Sequence, residues 1–158
     1  MILRILSANR TVHFPLIPFF LSALVVLSGS IGCTPSIPPA TLNKSVPELI
    51  QDLKSDDGLI RSQAAIALGL KKEEAKEAIP ALIKVLGDPK THVRYRVMEA
   101  LAQMGEPAVS ALIAATEDND RNIRFYAAHA LKKIPAQRAQ DAYKAYMDRE
   151  GSKIIKYH

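Results

Sequence analysis

The chain has 158 residues, with 21 Lys and Arg against 16 Asp and Glu, a formal net charge of +5, no Trp, 6% aromatic residues and one Cys. A single cysteine excludes an intrachain disulfide framework, and a small basic excess without any dense basic block argues against a nucleic-acid binder. Many Ala and Leu with few aromatics suit helices packed through small side chains rather than a core built on a sheet.

Residues 1–33 have the design of an export signal. Arg4 and Arg10 form a positive start with no acidic residue, Phe14 to Leu27 is an apolar run broken by Pro15, Pro18 and Ser22, and small residues follow before Cys33. The run is shorter than the roughly 20 residues a membrane-spanning helix needs, and its prolines disfavour a permanent span. Ser30-Ile31-Gly32-Cys33 resembles the lipobox of bacterial lipoproteins, in which the cysteine is lipidated and becomes the mature N-terminus; Ser30 stands where that family usually has Leu. The resemblance implies lipidation at Cys33 and a protein held at a bacterial envelope membrane on its extracytoplasmic or periplasmic side. An ordinary cleavage after Ser30 or Gly32, leaving Cys33 as a free thiol, is the alternative. Residues 34–45, with Pro35, Pro38 and Pro39, read as a semi-rigid extended tether.

From residue 46 to 151 the pattern predicts one helical domain, with helices over 46–54, 58–70, 74–86, 90–103, 106–116, 120–133 and 136–150, and a fraying tail over 152–158. Val93, Val97, Leu101 and Met104 share one helical face, which Ile123, Ala127, Leu131 and Ile134 copy. Ile79, Leu82, Ile83 and Leu86, echoed by Leu49, Ile50 and Leu53, give the preceding helices theirs. Asp88-Pro89 and Asp118-Asn119-Asp120 read as turns within helix pairs, and Gly105-Glu106-Pro107 as a break between pairs.

A nine-residue phrase occurs three times in this domain, beginning at Ile60-Arg61, Val93-Arg94 and Ile123-Arg124 and ending at Leu68, Leu101 and Leu131. The arginines are 33 and 30 residues apart, and Leu49-Ile50, Leu82-Ile83 and Leu112-Ile113 precede them in register, so the repeating unit is a pair of helices. The longer first interval places an insertion in the charged stretch Lys71 to Glu74. An Asp before Val/Ile-Arg, then small residues and Ala-Leu, resembles the HEAT-like repeats first associated with phycobilisome lyases. The residues carrying the likeness include Asp57, Arg61, Ala64, Ala65 and Leu68; Asp88, Arg94, Val97 and Leu101; and Asp118, Arg124, Ala127 and Leu131. The resemblance implies an all-α fold: a short α-solenoid of about three helix pairs closed by a C-terminal capping helix. It also implies a structural ladder of Arg61, Arg94 and Arg124, each pairing with acidic residues of the adjacent unit.

Function is then expected where the copies differ at equivalent outward positions of the second helices. These positions single out Tyr95, Arg96, Glu99, Phe125, Tyr126, His129 and Lys133 as a partner-binding set, rich in the aromatic and basic residues that dominate protein contacts. In stacked helix pairs the second helices line the concave face. The alternative places Phe125 and one of the tyrosines against a neighbouring helix. From Arg121 onward nine basic residues stand against three acidic, a C-terminal excess that suits a polar cap or an acidic partner.

His92, His129 and His158 are scattered, no His, Cys, Asp and Glu group has metal-ligand spacing, and there is no glycine-rich phosphate loop or nucleophile context. The expectation is therefore no enzyme, no cofactor and no metal, but a scaffold that binds an unknown protein partner through its concave face. Two other readings stand beside it: a chromophore lyase or lyase subunit, implied by the family resemblance, and an assembly accessory of an envelope complex acting through the basic C-terminal helix.

Overall fold

The computed structural model describes the backbone of residues 37–155 and the side chains of residues 37–150. The export signal and Cys33 lie outside the described residues, as does the end of the tail from residue 156. The described residues fall within one compact unit, Pro35–His158. Among them are eight α-helices, one 3-10 helix and no strand. The helices are α1 (Pro39–Leu42), α2 (Val46–Asp52), α3 (Gly58–Lys71), α4 (Ile79–Val85), α5 (Thr91–Met104), α6 (Glu106–Ala115), α7 (Arg121–Lys133) and α8 (Gln137–Ile155), with the 3-10 helix over Lys72–Ala78 between α3 and α4.

Local chemistry starts these helices. The Ser45 hydroxyl and amide donate to Glu48 Oε2 at 2.6 and 2.7 Å ahead of α2, and these bonds, the hydroxyl's first, hold the Glu48 carboxyl below its ordinary range. Asp57 accepts from the Leu59 amide at 2.8 Å and Asp120 from the Asn122 amide at 2.7 Å, satisfying free donors in the first turns of α3 and α7. Proline occupies the first turn of α2, α4 and α6, where its missing amide proton costs nothing.

Pairs α2–α3, α4–α5 and α6–α7 stack into the expected short solenoid, with the second helices α3, α5 and α7 side by side. The core runs between the two helix rows. Leu49, Leu82 and Leu112 are fully buried in the first helices, facing Leu68, Leu101 and Leu131 in the second. The isoleucine after each first-helix leucine is only half-buried, packing at the core's edge. Small residues let the second helices approach: a Cβ on Gly69 would stand 2.8 Å from the Ala100 Cα and 3.0 Å from its Cβ, so glycine is what permits the α3–α5 distance.

Three elements differ from the sequence expectation. The helix expected over 74–86 is divided, because the inserted residues are taken up as the 3-10 helix Lys72–Ala78, whose Ala75 and Ala78 reach the core. Lys72 turns the chain there with φ 49° and ψ −117°; Gly105, 33 residues on, does the same job between α5 and α6 with φ 70° and ψ −134°. Residues 34–45 are not extended throughout: Pro39–Leu42 form a helical turn that buries Thr41 and packs against α3. The last helix also continues past its expected end at 150 to Ile155.

Helix α8 closes the stack. It packs on α7 and α6, burying Ala139 and Tyr146. Gln140 Nε2 donates to the carbonyls of Ile134 at 2.6 Å and Lys132 at 3.1 Å where α7 ends, and lies 3.3 Å from that of Leu131, which also accepts from the Ile134 amide. Arg149 donates to the Thr116 carbonyl at 3.0 Å just past α6 and pairs with Glu117.

Candidate partner-binding surface

The three repeated arginines do one thing in common. Arg61 Nη1 donates to the carbonyls of Ser55 and Asp56, Arg94 Nη1 to those of Asp88 and Pro89, and Arg124 Nη1 to those of Asp118 and Asn119, at 2.6 to 3.1 Å. Each guanidinium therefore ties down the turn inside its own helix pair, five and six residues back.

The acidic pairing expected across units is found at Arg61 alone among the described residues. Arg61 donates Nε to Asp88 Oδ2 at 2.6 Å and Nη2 to Asp88 Oδ1 at 3.0 Å, a bidentate link between the first and second units. Burial pushes the Asp88 carboxyl up, but the hydrogen bonds from Arg61 and the Lys90 amide outweigh it and hold the group below its ordinary range. The same bond to Asp88 raises the Arg61 guanidinium. Arg94 instead lies over the Tyr126 ring, 5.3 Å from its centroid, with its Nε buried and unpartnered. Arg124 has backbone carbonyls as its partners. Every copy shares the turn clamp, whereas the onward link to an acid of the adjacent unit, expected of all three arginines, is made by Arg61 alone among the described residues.

The seven residues expected to bind a partner share one surface along the second helices. Tyr95, Phe125, Tyr126, His129 and Lys133 line a groove of about 520 Å³ between α5 and α7, floored by Met98 and bordered by Lys132. Arg96 and Glu99 line a smaller hollow of about 140 Å³ on the other side of Tyr95, toward α3. Tyr95 and Phe125 are 47% and 45% exposed, so neither tucks into the core. Tyr126 is half-buried beneath Arg94, which is where the alternative of a ring packed against a neighbouring helix holds.

The groove wall is pre-arranged. Phe125 and His129, four residues apart on α7, stack with centroids 4.1 Å apart and planes inclined by 31°, and His129 Nδ1 lies 2.9 Å from the Phe125 carbonyl oxygen. Phe125 meets Tyr126 edge to face at 5.2 Å. Lys133 Nζ stands 2.9 Å from Glu99 Oε1, bridging α7 to α5, and this contact raises the Lys133 pKa. Lys132 lies 5.6 Å over the Tyr143 ring of α8.

Met98 and Lys132 belong to the groove without having been singled out from sequence. The signal was present: the position four after each arginine reads Ala65, Met98 and Ala128, and eight after reads Gly69, Ala102 and Lys132, so one copy departs from small residues each time. Ser62, equivalent to Tyr95 and Phe125, is buried and donates to the Leu59 carbonyl at 2.8 Å, so the first copy offers no side chain there. Among the described residues no group of three or more His, Cys, Asp or Glu side chains is placed to hold a metal ion, and no helix is long and apolar enough to cross a membrane. The chain matches no curated protein. A family model described as HEAT repeats matches residues 46–132, more than half the chain and all of the three helix pairs as far as the end of α7.

Proposed function

Since the chain belongs to the HEAT-repeat family, whose members are commonly protein-interaction scaffolds, we propose that it is a non-enzymatic interaction module that holds a protein partner against the exposed row of its second helices. The observation that carries this reading is the placement of Tyr95 and Phe125. Two large aromatics stay half-exposed on adjacent second helices and face each other across one groove, where burying them in a partner would release the apolar surface they show to water. In the same proposal residues 1–33 act as an export signal, and lipidated Cys33 holds the module at the extracytoplasmic side of an envelope membrane.

The interaction surface is tested by placing a photo-crosslinking amino acid at Phe125 or, separately, at Lys144 on the exposed side of α8, and illuminating intact envelopes. Adducts at position 125 that disappear when Tyr95 and Tyr126 are changed to Ala support the reading. Adducts at position 144 alone would move the function to the terminal helix. Mass spectrometry of the mature N-terminus tests the anchor, since any terminus other than a modified Cys33 removes it.

A further inference from the structure

Resting on that interaction reading, we infer that the partner is presented as an extended polypeptide segment laid across the second helices, with apolar side chains toward α5 and carboxylates at the α7 end. The argument begins with how the hollows connect. A depression of about 470 Å³ at α3, lined by Leu59, Gln63 and Ile66, shares Ile66 and Arg96 with the hollow beside α5. That hollow shares Tyr95 with the main groove, and the main groove shares Phe125 and His129 with a depression of about 350 Å³ between α7 and α8. Four depressions thus form one track, divided at each boundary by one or two side chains.

A track of this form suits a polypeptide. Neighbouring helices lie about 8–10 Å apart, so the run from α3 to α8 is roughly 25–30 Å, which about eight extended residues cover at 3.3–3.6 Å each. Side chains that alternate along such a segment drop into successive hollows while its backbone crosses the dividing ridges. Arg96, Glu99 and Gln103, beside the second hollow, are long polar side chains within reach of a crossing backbone.

Charge sets the orientation. The depression at α3 has neutral walls apart from Arg96, whereas the α7 end presents Lys132 and Lys133 at the groove and Arg121 and Arg124 just beyond. Glu99 is paired with Lys133 and Glu150 lines the same depression as Arg121 and Arg124, so four basic side chains stand against two acidic ones at this end. That positive excess favours a segment that brings its own carboxylates, which would steer its approach and fix its register.

The test is selection of a random linear peptide library on the purified full chain, with selected peptides then titrated by fluorescence anisotropy. The expected result is enrichment of peptides with an apolar or aromatic residue followed or preceded by Asp and Glu. Their affinity should fall at least about tenfold in the Lys132→Glu, Lys133→Glu variant, and also between low salt and about 0.5 M salt. The Tyr95→Ala, Phe125→Ala variant should lose binding while keeping its circular-dichroism spectrum. Basic or charge-indifferent peptides that still need Tyr95 and Phe125 would overturn the inference and leave the interaction reading standing. Peptides indifferent to both variants would overturn both. No enriched peptide, with phosphatidylglycerol vesicles bound in a Lys132- and Lys133-dependent way, would replace the peptide by a lipid surface.

Discussion

Arg61 and Asp88 lie 27 residues apart in the chain and meet as a bidentate pair, with Nε to Oδ2 at 2.6 Å and Nη2 to Oδ1 at 3.0 Å. With side chains 11% and 5% exposed, the pair is shielded from solvent, and the same carboxylate accepts from the Lys90 amide at 2.8 Å. It ties the end of α4 to the first turns of α3 and α5 at once.

Asp88→Ala is accordingly expected to destabilise the domain by about 2–4 kcal/mol, because it leaves a mostly buried guanidinium without its carboxylate. The pH dependence follows from the sign of the shift. Asp88 is held below its ordinary range when folded, so its contribution is fully present above the unfolded value near 3.9 and is lost as pH falls through the folded one. Thermal melts of the wild type should therefore drop below about pH 4, and the Asp88→Asn variant should show a shallower acid limb.

Gly69→Ala should cost about 1–3 kcal/mol. An added methyl would sit 2.8 Å from the Ala100 backbone, which cannot give as a flexible side chain would, so α3 and α5 must separate. Urea unfolding of the two proteins measures the difference; an unchanged midpoint would mean that the two helices are not held at this distance.

Lys72→Gly should stabilise by about 1 kcal/mol, although it removes a charge and inserts a poor helix former. Lys72 holds φ 49° and ψ −117°, a conformation costly for any side chain and free to glycine, which the next copy uses at Gly105. Differential scanning calorimetry of the variant should show a higher transition temperature.

Gln140→Ala should lower stability by about 1–2 kcal/mol by removing the side-chain donor to the Lys132 and Ile134 carbonyls. Amide exchange should quicken in α8 and the last turn of α7 and stay unchanged in α2 and α3, a localisation that general loosening of the stack would not produce.

Tyr95→Ala and Phe125→Ala should each change stability by less than about 1 kcal/mol, since both side chains are nearly half-exposed. Leu101→Ala, on the buried face of the same α5, should cost about 2–5 kcal/mol. Chemical denaturation of the three variants separates the face that holds the stack from the face that is free to meet a partner.

Much of the architecture was legible because it is written in local spacing. Helical period places Val93, Val97 and Leu101 on one face, and the fixed offset from each arginine places Tyr95, Arg96, Phe125 and Tyr126 on the outward row. The insertion near Lys72 is legible in position but not in form: nothing in the charged stretch Lys71 to Glu74 announces a 3-10 helix, whose one buried edge comes from Ala75 and Ala78. Gln140 was illegible, since nothing in an exposed-looking glutamine tells which carbonyls will stand within its reach.

By itself the sequence determined the repeat, the helix pairs and which side of each helix turns outward, because periodicity and capping act within a few residues along the chain. Only the tertiary structure decided what the arginines hold and how the outward side chains combine. Arg61 reaches Asp88 while Arg94 lies over Tyr126, and Met98 becomes the floor of a groove, because such outcomes depend on how closely neighbouring helices approach. That approach is set by contacts such as Gly69 on Ala100, between residues far apart in sequence whose meeting no local pattern encodes.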